Sequence, residues 1–186
     1  VARMENIYTG LNYMGFALRQ NPYMGVGRNL SYKRELFFAH KGFASHLHIA
    51  SGDDDLFINQ VSTAQNTAVC LNPEGFVYSF SKNSFYEWFK QKKRHIAAGK
   101  YYKTQHKRAL AFAAFTHHFL WISFALSMCF ADARPYGLLA LGIYWLFKWP
   151  IMTSAFKRLK QGGSAFWIPL FDLLYWPYCI FIALVS

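Results

Sequence analysis

Ser51-Gly52-Asp53-Asp54-Asp55-Leu56-Phe57 and, further along, Gln91-Lys92-Lys93-Arg94-His95 are the two stretches on which the reading of this chain turns. The protein has nine Asp and Glu against twenty Lys and Arg among 186 residues, so three consecutive acids need a reason. Ser51 followed three residues later by Asp54, with Leu56, Phe57, Ile58 and Val61 behind, is a capping-box pattern. Acids in a first turn also suit the helix dipole. Successive helical residues point about 100° apart, however, so three acids cannot all serve one cap. The same angle sends Asp53 and Asp55 to nearly opposite faces, which argues against a metal clasp made from this run alone. A single carboxylate in a first helical turn, facing a cleft, suits a general base that takes a proton from a hydroxyl group. From these residues alone, cap and base stand equally.

Around the second stretch, Phe85, Trp88, Phe89 and Ile96 recur at helical spacing, while Lys90, Lys92, Lys93 and Arg94 crowd the rest. This is a basic amphipathic helix. Burial of its aromatics and attraction to anionic headgroups would make it a membrane-surface anchor. That role leaves Gln91 and Arg94 unexplained.

An acidic motif, then a Gln-x-x-Arg motif on an interfacial helix, then apolar spans, resembles the C-terminal half of membrane-bound family 2 glycosyltransferases, including polysaccharide synthases. Pro22 to Phe43, PYMGVGRNLSYKRELFFAHKGF, is similar to the family's segment before the acidic motif, and the likeness covers residues 1–108. It implies an α/β fold, the C-terminal portion of a glycosyltransferase A-type domain, followed by an interfacial helix and three transmembrane helices. It places the family's catalytic base at Asp53, with Asp54 in reserve. Gln91 and Arg94 match the residues implied to hold the acceptor sugar and the nucleotide diphosphate. His95 stands where the synthases have Trp, which puts acceptor stacking and processivity in doubt. Gly52 stands where the family usually has Glu or Asp.

The resemblance further implies an inverting transfer from a nucleotide-sugar donor to a lipid-linked or polysaccharide hydroxyl, in cell-envelope biosynthesis. A divalent cation, Mg or Mn, is expected to be held mainly by the family's nucleotide-binding half. That half would precede Val1, so the chain is expected to be a fragment, inactive alone.

A composition 54% apolar and 20% aromatic with a formal charge of +11 suits a membrane protein. Nine of the twenty Lys and Arg lie between Lys82 and Arg108, beside the apolar spans, which favours anionic lipid over nucleic acid as partner. Residues 109–130, 136–155 and 166–185 are each long enough to cross about 30 Å of hydrocarbon at about 1.5 Å per residue. The expected organisation is therefore 1–81 catalytic, 82–108 interfacial and 109–186 membrane domain. The basic flanks, with Lys157, Arg158 and Lys160 between the last two spans, should be cytoplasmic, in a bacterial plasma membrane. Lys148 and Asp172 lie about 12 Å and 9 Å inside that side and could pair. Cys70, Cys129 and Cys179 are too scattered for disulfides or zinc.

Elsewhere, residues 3–19 show helical periodicity, and Arg34 to His40 reads as a short helix closed by Gly42. Gly25 and Gly27 allow either a plain turn or a close approach of backbone to acceptor or donor. Ala68 to Leu71 and Phe76 to Ser79 read as short strands about Asn72-Pro73-Glu74-Gly75. His46 and His48, alternating on an extended segment before the acids, offer a metal-dependent hydrolase or phosphotransferase as a lesser alternative. The rival from another class is a non-enzymatic membrane anchor or assembly subunit, for which the basic helix and three spans suffice.

Overall fold

The computed structural model describes residues 2–49, 51–78 and 84–185. Ser79, which ends the second expected strand, and Ser81 and Lys82, which bound the expected interfacial segment, lie outside the described residues, as does Ala50. Seven α-helices follow one another: α1 (Ala2–Leu18), α2 (Arg34–Ala39), α3 (Asp53–Val61), α4 (Phe85–Gly99), α5 (Thr104–Cys129), α6 (Arg134–Arg158) and α7 (Ile168–Val185). Short 3-10 turns separate some of them.

The α/β portion of a glycosyltransferase domain expected from the resemblance is not found. Among the described residues every regular element is helical, and there is neither strand nor sheet. The reason is local in two places. Pro73–Gly75 closes as a 3-10 turn, with the Asn72 side chain accepting the Glu74 N–H at 3.2 Å, so Asn72 to Gly75 does not make the tight turn of a hairpin. Upstream, Thr63 and Asn66 satisfy each other's backbone N–H groups through their side chains, and the Asn66 amide donates to the Val61 carbonyl at 2.9 Å. These bonds fold the chain into a loop just before the stretch that starts at Ala68.

Two compact units divide the chain, residues 1–107 and residues 108–185. In the first, α3 supplies the centre. Phe57 is fully buried, with Tyr32, Phe37 and Phe43 ringed about it at centroid distances of 4.9, 5.5 and 5.8 Å. Leu56 and Val61 are also buried, together with Tyr23, Ala98 and Tyr102 from neighbouring segments. Helix α4 starts at Phe85, where Ser84 caps it by accepting the Glu87 N–H at 3.2 Å. Its Lys92 pairs with Glu5 of α1 at 2.5 Å. The aromatic side of α4 is left uncovered at its start: Phe85 is 69% exposed and Tyr86 72%. Such a surface suits a bilayer interface better than water.

In the second unit the apolar helices carry the architecture. Thr104–Cys129, Arg134–Arg158 and Gly162–Ile182 are each long and apolar enough to cross a membrane, which marks a membrane protein. Pro135 opens α6 at a position where its missing N–H costs nothing, and Lys157 and Arg158 close it at the end the dipole makes negative. The two charges within the spans do meet. Asp172 is fully buried and accepts from the Lys148 ammonium and, at 2.7 Å, from the Tyr144 hydroxyl. A carboxylate in that position is tolerated because both neighbours on α6 satisfy it. Charge reversal tests the pairing: Lys148→Asp and Asp172→Lys should each sharply reduce the amount of folded protein in membranes, and the double reversal should restore much of it. Equal yields from the double and the single variants would show that the pair contributes nothing.

Candidate functional site

The site begins at a glycine. Gly52 precedes α3 with φ of 88°, a left-handed conformation that side-chain-bearing residues rarely adopt, and a Cβ there would lie 2.6 Å from the Cβ of Ala98. Ser51 therefore does not cap α3 as the sequence suggests; Gly52 is the N-cap and makes no side-chain cap bond. Its bare backbone lets α4 lie directly against the entry of α3. A carboxylate side chain at this position would occupy the space Ala98 fills.

The contact sets which face of α4 looks toward the acids. Gln91, Arg94 and His95 stand seven, four and three residues before Ala98, so all lie on the strip of helix that Ala98 brings to α3. His95 feels the charge of Asp54 and of Arg28 as well as its own helix's Lys92 and Arg94. His95 keeps an exposed face, yet partial desolvation first, then the Lys92 charge, lower its pKa below the ordinary histidine value, with Arg94 and Arg28 adding to the effect and Asp54 opposing it. The shift favours the neutral imidazole, which donates through one nitrogen and accepts through the other.

The three aspartates have three different environments. Asp53 is exposed at the helix entry. Asp54 accepts the N–H of Gly27 at 2.6 Å through Oδ2 and the N–H of Asp55 at 3.0 Å through Oδ1. A Cβ on Gly27 would stand 3.1 Å from Asp54 Oδ2, so the loop approaches this carboxylate as closely as it does with little room for a side chain. Gly25 instead faces Leu30 and Ile58, where a Cβ would come within 3.0 and 3.1 Å. Asp55 is buried and accepts from the Tyr102 hydroxyl; burial above all, then the charge of Asp54, pushes its pKa up to about 7, the Tyr102 bond working the other way and Asp53 adding a little. The same burial, reinforced by Asp55, raises the Tyr102 and Tyr23 phenols above their ordinary values.

A network not evident from the sequence holds the far end of α3. Asn59 and His106, each 2% exposed, are hydrogen-bonded through Asn59 Nδ2 and His106 Nδ1 at 2.9 Å. Asn59 Nδ2 also donates to the Tyr23 carbonyl at 2.7 Å, and Asn59 Oδ1 accepts the Lys103 N–H at 2.8 Å. His106 Nδ1 is then an acceptor, so the proton sits on Nε2, facing Asn21 Oδ1 at 3.2 Å. One side chain thereby fixes α3 to the segments around Tyr23 and Lys103. The available signal was a polar residue on the same helical stripe as Asp55 and Leu56.

The histidine pair does not form the arrangement the alternation suggested. Residues Ala44–His46 form a 3-10 turn rather than an extended segment, and His46 is buried beside Phe43 with Nδ1 on the Ser45 hydroxyl at 2.9 Å, whereas His48 is exposed. Among the described residues no three His, Cys, Asp or Glu side chains are grouped to hold a metal ion. Comparison of the chain with protein families, with curated proteins and with solved structures gives no match.

The Asp55 environment predicts a pH dependence with a definite sign. Its pKa is raised on folding, so its stabilising contribution is complete below about pH 4, the ordinary aspartate range, and is lost as pH rises through about 7. Asp55→Asn should therefore raise the thermal unfolding midpoint in detergent more at pH 8 than at pH 5, relative to wild type. An equal effect at the two pH values would mean that the buried acid is not protonated in the fold.

Proposed function

We propose that this chain is part of a membrane-bound enzyme that transfers a sugar from a nucleotide donor to a hydroxyl acceptor with inversion. The observation that carries the reading is the Gly52–Ala98 contact, which brings the entry of α3, where Asp53 is exposed, against the helix that carries Gln91, Arg94 and His95. Asp53 would accept the acceptor's proton as its oxygen forms the bond to the anomeric carbon and the bond to the departing diphosphate breaks. Arg94, with Arg28 nearby, would offset the charge developing on the leaving diphosphate. Gln91 and His95 would orient hydroxyl groups, and Asp54, tied to Gly27, would hold the glycine loop rather than take a proton.

The divalent cation implied by the family resemblance finds no cage among the described residues, since Asp53 and Asp55 diverge and Asp54 is engaged by Gly27. No step above is routed through it. A lipid-linked acceptor, anionic lipids beneath α4, and a bacterial plasma membrane with the acids on the cytoplasmic side complete the proposal. The basic residues between Lys82 and Arg108 and the exposed Phe85 and Tyr86 support it. The same exposed aromatics would serve a non-enzymatic membrane anchor, in which the acids only start a helix.

Membranes containing the full-length protein, supplied with a panel of radiolabelled nucleotide sugars, separate these readings. Asp53→Asn should lower turnover by about 10²–10⁴-fold, the usual worth of a general base. Asp54→Asn keeps an oxygen for the Gly27 N–H and should cost far less. Equal activity of wild type and Asp53→Asn would remove Asp53 as the base, and absence of transfer from every donor by wild type would favour the anchor.

A further inference from the structure

We propose that the Lys157 end of α6 forms a binding groove for a lipid with a phosphate headgroup. The inference rests on the membrane unit alone and is independent of the sugar-transfer reading.

A shallow, open groove of about 570 Å³, lined by α6 alone, runs along this half of the helix. Trp145, Trp149, Thr153 and Lys157 line it at intervals of four, which makes them one strip on the helix surface. Leu146 and Pro150 form its other side. Pro150 has no N–H, so the Leu146 carbonyl lacks its intrahelical donor where the groove lies.

The lining is graded rather than mixed. Two indoles and an exposed leucine come first, then the hydroxyls of Thr153 and Ser154, then the Lys157 ammonium at the helix end. The twelve residue steps from Trp145 to Lys157 span about 18 Å along the axis, close to the roughly 15 Å of hydrocarbon in one leaflet. A lipid placed with its chain on the indoles therefore brings its headgroup to Lys157. Lys157 is exposed and meets no acidic side chain among the described residues, and Arg158 and Lys160 follow it.

Charge selects the headgroup. The carbonyl end of a helix repels anions, so Lys157 must supply the attraction, with two hydroxyls donating to phosphate oxygens. A neutral lipid would leave the ammonium unused, and a soluble anion would have no use for the indole strip. The carboxylate that a protein segment would need is a less economical match to a leaflet-length groove than a phosphate on a hydrocarbon chain.

Native mass spectrometry of the full chain in detergent, titrated with dioleoyl phosphatidic acid or dioleoyl phosphatidylcholine, tests the groove. Wild type should retain one phosphatidic acid at a concentration at least about fivefold below that needed for phosphatidylcholine. Lys157→Gln should abolish the preference and Lys157→Arg should keep it, which separates lost charge from lost folding. Trp149→Ala should weaken retention of the lipid itself. Equal retention of the two lipids by wild type, or an unaltered preference in Lys157→Gln, would overturn the proposal. Displacement by millimolar inorganic phosphate would overturn it too, because it would show an anion site that needs no lipid.

Discussion

The close approach of α4 to the entry of α3, possible only because Gly52 has no side chain and a positive φ, is the constraint on which the candidate site depends. With any other residue at 52, Ala98 would be pushed away, and the strip carrying Gln91, Arg94 and His95 would move with it. The remaining contacts of the unit act to keep that approach. Glu5 holds Lys92 from the α1 side, Asp54 holds the Gly27 loop, and Asn59 anchors the far end of α3 to the chain near Tyr23 and Lys103. Polar groups do much of this positioning in a unit whose apolar core is small and gathered on Phe57. Such a core would pack as well with α4 slightly rotated, whereas hydrogen bonds with fixed donors would not.

Burial also explains how three adjacent acids can coexist. Asp55 is pushed toward its neutral form because it is enclosed, Asp54 accepts two backbone N–H groups, and Asp53 faces outward. The repulsion that three like charges would generate is reduced by removing one of them and compensating another. In the membrane unit the same difficulty is met differently. Asp172 is met there by Lys148 and Tyr144, both from α6.

Much of the helical architecture was legible. The first helix, the basic aromatic helix and three apolar spans follow from periodicity and length, which depend on neighbours in sequence. So did the meeting of Lys148 and Asp172, because an unpaired charge at that depth is too costly to leave alone. What misled was the short apolar stretches about Asn72–Pro73: alternation over four residues cannot tell a strand from an extended loop, and the Asn72 side chain closes a 3-10 turn where a hairpin turn was expected. The family resemblance carried an α/β fold with it that this chain does not show. Gly52 was hidden because a left-handed cap and an ordinary one look alike when a Ser stands just before it. Asn59 with His106, and Asp55 with Tyr102, join residues far apart in sequence, which no local pattern reports.

The claim that the two motifs form one site is tested most directly by the titration of His95, followed by NMR of ring-labelled histidine in the full chain and assigned with His95→Gln. In wild type the Asp54 charge partly offsets the burial and the cations that lower this pKa. Asp54→Asn should therefore lower it further. A His95 titration unchanged by that substitution would mean that α4 does not lie over the acids, and the site described here would not exist.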